Sequence, residues 1–246
     1  MYSQSGHVSV TYKQIKYPNM KKTVIYSLFC LVTATGFAQD KIQSSADWSP
    51  EIYQVGKKYP GYIIQESGDT VKGFLEAKMR CAIAGIGNSN QNLAEFYLNE
   101  NDKKATAKYK PEDIKGYMIA DKVYESIAYS GGMLKKANFN LVITDGAIRV
   151  YEWYSTVEGF SMITQQSGES TKEYDARRFD TKTIIAKGGQ DPIEHGVLGM
   201  QFAKKMPALI ADNKEMAEKV ANKEDGYKFL HMFAIIDEYN KWKAEN

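Results

Sequence analysis

The sequence predicts an α+β fold, an antiparallel β-rich sheet or a partly open barrel or sandwich followed by C-terminal helices. Three observations carry that expectation. From Gly61 onward, short apolar segments are separated by Gly, Asn, Asp and Pro turns at strand spacing. The stretch Phe139–Trp153 alternates around Asp145-Gly146, a favoured two-residue hairpin pair. Beyond about residue 200 the apolar period lengthens, and Phe229, Met232, Phe233 and Ile236 follow the i, i+3, i+4, i+7 rule of a helix face.

Residues 39–59 read as a polar lead-in, with Trp48 and Tyr53 as isolated anchors. The first hairpin is expected from Tyr62-Ile63-Ile64 and Val71–Leu75 around a two-residue Gly68-Asp69 turn. That register sets Ile63 opposite Phe74 and Tyr62 opposite Leu75, with both faces covered. Residues 79–91 read as a flexible loop. Their Gly85-Ile86-Gly87 lacks the third glycine of a dinucleotide loop and the flanking strand and helix. Strands follow at Ala94–Leu98, Thr106–Tyr109, Ile114–Ala120 and Val123–Tyr129, the last pair joined at Asp121-Lys122. The polar run 99–102 lacks the ligand spacing and distal glutamate of a calcium loop, so it reads as a turn.

In the hairpin around Asp145-Gly146, Ile143 should oppose Ile148 and Leu141 should oppose Val150, leaving Val142 and Arg149 on the other face. Phe160–Gln165 reads as a strand before a Ser167-Gly168 turn, and Thr183–Ala186 as another before Gly188-Gly189. The helical part spans about 202–243. Pro207 suits a first helical position, Asp212 with Glu215 suits a cap of a helix through Val220, and Asp225 suits a cap of the last helix. The single β-rich domain thus runs from 60 to 246.

Met20–Ala38 has the form of a cleaved secretory signal: two lysines, an apolar run from Thr23 to Phe37, and small residues at Gly36 and Ala38. The run is shorter than a membrane span, and Cys30 lacks the preceding small residue of a lipoprotein signal. Residues 1–19 then read as a mis-called start. Four lysines and no acidic residue leave with residues 1–38, so the mature chain of 208 residues carries 28 basic and 30 acidic groups. Its net charge of −2 argues against nucleic acid as a partner. Cys81 is the single cysteine left, which excludes an internal disulfide and points to simple packing.

Several landmarks carry a resemblance. They are Gly61-Tyr62-Ile63-Ile64 followed by Gly68-Asp69-Thr70-Val71-Lys72-Gly73, then Tyr109-Lys110-Pro111-Glu112-Asp113-Ile114-Lys115-Gly116, the Phe139–Tyr151 hairpin and Glu238-Tyr239-Asn240. With these the chain resembles a group of uncharacterised exported proteins of Bacteroidetes-type bacteria. The resemblance implies export and a shared fold, and it brings no catalytic residue with it.

Catalytic chemistry has little to stand on. Of the histidines only His195 and His231 follow the signal, and no nucleophile elbow is present. Asp191, Glu194 and His195 form the best cluster of metal-ligand types, although the neighbouring Pro192, Gly188, Gly189 and Gly196 favour a solvated loop. The carboxylate pairs Glu152 with Glu158 and Glu95 with Asp113 could serve a glycosidase only if they faced each other across a cleft. Tyr151, Trp153 and Tyr154 cluster after the best hairpin, and exposed aromatics hold sugars or proteins. The leading expectation is a non-enzymatic envelope module, without a cofactor, that binds or organises a protein or a glycan. The alternative is an extracytoplasmic hydrolase using those carboxylates or the 191–195 loop.

Overall fold

The computed structural model describes residues 53–83, 86–129, 131 and 136–246. The signal segment, the residues before it, most of the lead-in with Trp48, and Gly85 lie outside the described residues. The expected α+β class is what the structure shows: one ten-stranded antiparallel sheet that does not close, followed by helices.

The strands are β1 (Lys58–Ile64), β2 (Thr70–Glu76), β3 (Ala94–Tyr97), β4 (Ala107–Tyr109), β5 (Gly116–Ile119), β6 (Lys122–Ile127), β7 (Asn138–Thr144), β8 (Ile148–Thr156), β9 (Phe179–Lys187) and β10 (Ile193–Glu194). Their spatial order, β10-β9-β8-β7-β6-β5-β1-β2-β3-β4, describes two meanders joined where β1 lies beside β5. Gly61 sits at that junction, opposite both Gly73 and Ile119. A Cβ there would lie 2.0 Å from the carbonyl oxygen of Met118, so only glycine permits the close approach.

The first hairpin departs from expectation by three residues: Ile63 opposes Val71, and Tyr59 opposes Leu75. Gly68, at φ +94°, takes the left-handed position after a turn that starts at Gln65, which makes a three-residue loop with a bulge rather than a two-residue turn. An odd shift exchanges the faces, so Tyr59, Ile63 and Leu75 together enter one core while Lys72 and Thr70 face out. The β5–β6 turn likewise falls one residue early, on Ala120 and Asp121, and Lys122 is buried.

In the β7–β8 hairpin the expected pairs are displaced by two residues and a bulge. Val142 opposes Tyr151, Leu141 opposes Glu152, and Thr144 opposes Val150. The cause lies far along the chain. The Asn240 carboxamide accepts from the Ile148 N–H and donates to the Ile148 carbonyl, both at 2.8 Å, and so takes the ladder position that Ile143 was expected to fill. Gly146 makes room for it, because a Cβ there would meet the Asn240 side chain at 2.5 Å.

Helices α1 (Thr171–Arg178), α2 (His195–Met200), α3 (Phe202–Leu209), α4 (Lys214–Ala221) and α5 (Met232–Glu245) complete the fold. The expected strand at Phe160–Gln165 is instead a single 3-10 turn at Phe160–Met162, and α1 follows it behind a Ser170/Glu173 capping box. Pro207 lies inside α3, which starts earlier because Phe202, Met206 and Leu209 share one buried face. Asn213, not Asp212, caps α4 by accepting from the Met216 N–H. Asp225 pairs with Lys228, and α5 begins seven residues later. Its buried stripe is Met232, Ile235, Ile236 and Tyr239, while Phe233 is half exposed.

Alternation along β8 defines the layers. Ile148 and Val150 meet α2–α5 in an apolar core with Ile185, Leu198, Met206 and Ile236. Tyr154, two positions further on the same face, enters the core of the first meander with Tyr117, Phe139 and Leu75. Tyr151 and Trp153 point the other way, into a small cluster with Val142 and Ile184.

Candidate functional site

The strands β7 and β8 part company beyond the Leu141–Glu152 pair. Gln91, from the β2–β3 connection, fills the gap. Its carbonyl accepts from the Phe139 N–H of β7, and its carboxamide accepts from the Tyr154 N–H at 2.7 Å and donates to the Tyr154 carbonyl at 2.9 Å. The residues around Gln91 are packed rather than flexible: Ser89, Asn90 and Gln91 are all buried. The neighbouring Asn90 is held by the Tyr117 hydroxyl on its carbonyl and by its own amide on Tyr53 and Lys78. Asn92 closes the loop, accepting from the Ser89 N–H and donating to the Gly87 carbonyl.

This wedge opens a cleft of about 440 Å³, in the range of small-ligand sites. Ser89, Gln91 and Asn92 form one wall, Asn138 and Lys136 another, and Trp153–Thr156 with Cys81 the rest. Among these lining residues Lys136 alone carries a charge. Two of the lining residues have a polar atom that is sealed from solvent and has no hydrogen-bond partner among the described residues, the Ser89 hydroxyl and the Trp153 indole nitrogen, and so has Asn140, nearby on β7, in its side-chain carbonyl oxygen. Buried polar groups are rarely left unpaired. Cys81 is no nucleophile here, because burial pushes its thiol up to about 11 even against the Arg80 charge.

Trp153 is held firmly. Tyr129 packs edge-on against it at 5.9 Å, and Gly131, at φ +72°, lies so close that a Cβ would come within 2.3 Å of the ring. The other two aromatics of the sequence cluster are used differently. Tyr151 is buried and donates to Glu125, which also holds Arg149. Tyr154 lies on the opposite face, donating to Glu152. Strand alternation therefore divides the trio, and Trp153 is the member whose polar atom remains unpaired.

The remaining candidates sit apart. Glu194 accepts from the Tyr129 hydroxyl at 2.6 Å and from Lys182 at 3.3 Å. His195 starts α2, stacked at 5.8 Å on Phe233 and beside Phe229, at the rim of an exposed apolar patch with Met200 and Leu230. Asp191 is exposed on the loop before them. Among the described residues no group of three His, Cys, Asp or Glu could hold a metal ion. Glu95 is buried between Lys78 and Lys108, whose hydrogen bonds hold its carboxyl below the usual range against the effect of burial. Asp113 accepts from the Lys110 N–H in its turn, and Glu158 is exposed.

Of the residues lining this cleft, Trp153 and Tyr154 belong to the aromatic cluster expected from sequence, whereas Ser89, Gln91, Asn138 and Lys136 carry no local signal, because nothing nearby marks a loop that crosses to strands sixty residues away. Comparisons with protein-family models, with curated proteins and with solved structures return no match for this chain.

Proposed function

We propose that this chain is a non-enzymatic binding module of the cell envelope that holds a glycan in the cleft between β7 and β8. One observation carries the reading. The cleft is lined by neutral amides, hydroxyls, a tryptophan and a single lysine, and directly behind that lining an indole N–H and a serine hydroxyl have no partner among the described residues. A ligand rich in hydroxyl groups both donates and accepts, and it would satisfy such a lining without bringing charge into it. The tryptophan adds an apolar ring of the kind on which sugar faces rest. The signal-like segment at 20–38 supports a ligand met outside the cytoplasm.

The test is to apply the purified protein to an array of envelope-type oligosaccharides and to cross-link it in intact cells. Saturable glycan binding that Trp153→Ala weakens by about tenfold or more supports the reading, one lost hydrogen bond and ring contact amounting to roughly 1–3 kcal/mol. Recovery of a protein partner that is indifferent to Trp153, with no glycan bound, would overturn it.

A further inference from the structure

A second hollow, of about 260 Å³, lies between the start of the β2–β3 connection and α1. Its lining includes Lys78, Arg80, Gln165, Tyr174, Asp175 and Arg178, and it shares no residue with the glycan cleft. We propose that this hollow binds a tetrahedral oxyanion, a phosphate or sulfate group, with the guanidinium of Arg178 as its principal donor.

The charges around it fall into pairs with one cation left over. Lys78 lies 3.2 Å from Glu76 and 3.0 Å from Glu95, and Lys108 shares Glu95. Arg80 bonds Asp175 through its Nη2. Arg178, among the described residues, has no carboxylate within ion-pair distance, and its Nε is buried with no hydrogen-bond partner. A buried N–H of a cation left without a partner is costly until something accepts from it.

The rings explain why the guanidinium stays in place regardless. Its central carbon lies 4.3 Å from the Phe160 ring centre, 4.5 Å from Tyr174 and 5.4 Å from Phe179. Arg80 approaches the same Phe179 ring at 5.2 Å. Phe179 thus gathers two guanidinium groups in one place, and Asp175 neutralises only that of Arg80, leaving the Arg178 charge without its own counter-ion among the described residues. A guanidinium stacked by its face keeps its N–H edge for hydrogen bonding, and that fork matches two oxygens of one oxyanion. Gln165 and Tyr174 already donate to the Glu169 and Ile163 carbonyls, and Arg80 is engaged by Asp175, so Arg178 is the available donor.

Calorimetric titration of the purified protein with inorganic phosphate, against sodium chloride at matched ionic strength, tests the site. The expected result is saturable phosphate binding in the millimolar range or tighter. Sulfate should compete, acetate should not, and Arg178→Lys should bind at least about tenfold more weakly, because lysine keeps the charge and loses the fork. Trp153→Phe should leave phosphate binding unchanged, since the two sites share no residue. Phosphate behaving like chloride, acetate binding as well as phosphate, or an unaltered Arg178→Lys would each overturn the assignment. The wild-type titration decides even if the variant proves unstable.

Discussion

The two ends of β8 solve one problem in the same way and reach different outcomes. At each end β7 no longer supplies a ladder partner, and a side-chain carboxamide from a distant segment takes its place. Asn240 bonds both backbone groups of Ile148, and Gln91 bonds both backbone groups of Tyr154. At the Ile148 end the substitute comes from α5 and lies over a sealed apolar core. At the Tyr154 end it comes from a loop, and beside it a polar cleft opens with unpaired atoms in its lining. The same hydrogen-bonding device therefore closes a core in one place and borders an open polar cleft in the other. The chemistry of the surroundings makes the difference, not the device.

Substitutions at the two amides should separate these roles. Asn240→Leu leaves the N–H and carbonyl of fully buried Ile148 unpaired, at about 1–3 kcal/mol for each such group. A loss of roughly 2–4 kcal/mol in urea unfolding is expected, with glycan binding by the folded fraction unchanged. Gln91→Leu should cost less stability, about 1–3 kcal/mol, because Tyr154 borders the cleft and water can reach its backbone in the variant. It should also weaken glycan binding, which Asn240→Leu should not. Equal effects of both variants on binding would break the contrast.

The sealed end also has a pH signature. Asp212 accepts from Lys187 and from the Tyr239 hydroxyl, which lies 2.8 Å from each of its carboxylate oxygens, and it pairs with Lys243. Burial alone would raise its carboxyl, but these donors hold it well below the ordinary range. A depressed folded value means that the contribution is present above the unfolded value near ~3.9 and is lost as pH falls through the folded one. Acid unfolding below about pH 4 should therefore be less pH-dependent in Asp212→Asn than in the parent chain, as read by circular dichroism. The effect on stability is modest, since the carboxylate is about a third exposed and water screens it. The smallest stability change is expected for Trp153→Phe, under about 1.5 kcal/mol, because the ring contacts with Tyr129 and Gly131 persist and the removed N–H has no partner to lose.

Local signals were legible where the chain satisfies itself. The turns at Gly68 and Gly146, the two buried positions Met232 and Ile236 of α5, and the packed character of Cys81 all follow from neighbours in sequence. The Ser170–Glu173 capping box that opens α1 is also a local feature, a Ser followed three residues later by a Glu. The β7–β8 register was not legible, because Asn240 and Gln91 lie 92 and 63 residues from the backbone groups they satisfy. The cleft was half legible for the same reason. Trp153 announces itself on an alternating strand, whereas Ser89 and Gln91 sit in a stretch whose glycines and amides read as an unstructured loop.

The most direct measurement follows the indole N–H groups in a ¹⁵N-correlated NMR titration of the labelled protein with the oligosaccharides that the array selects. Trp153 and Trp242 give separate probes, one in the cleft and one on α5 beside Tyr239. The account predicts a saturable shift of the Trp153 indole resonance, lost with Ser89→Ala or weakened by it, while Trp242 stays still. A bound glycan that leaves the Trp153 indole unmoved, or that moves both resonances alike, would contradict it.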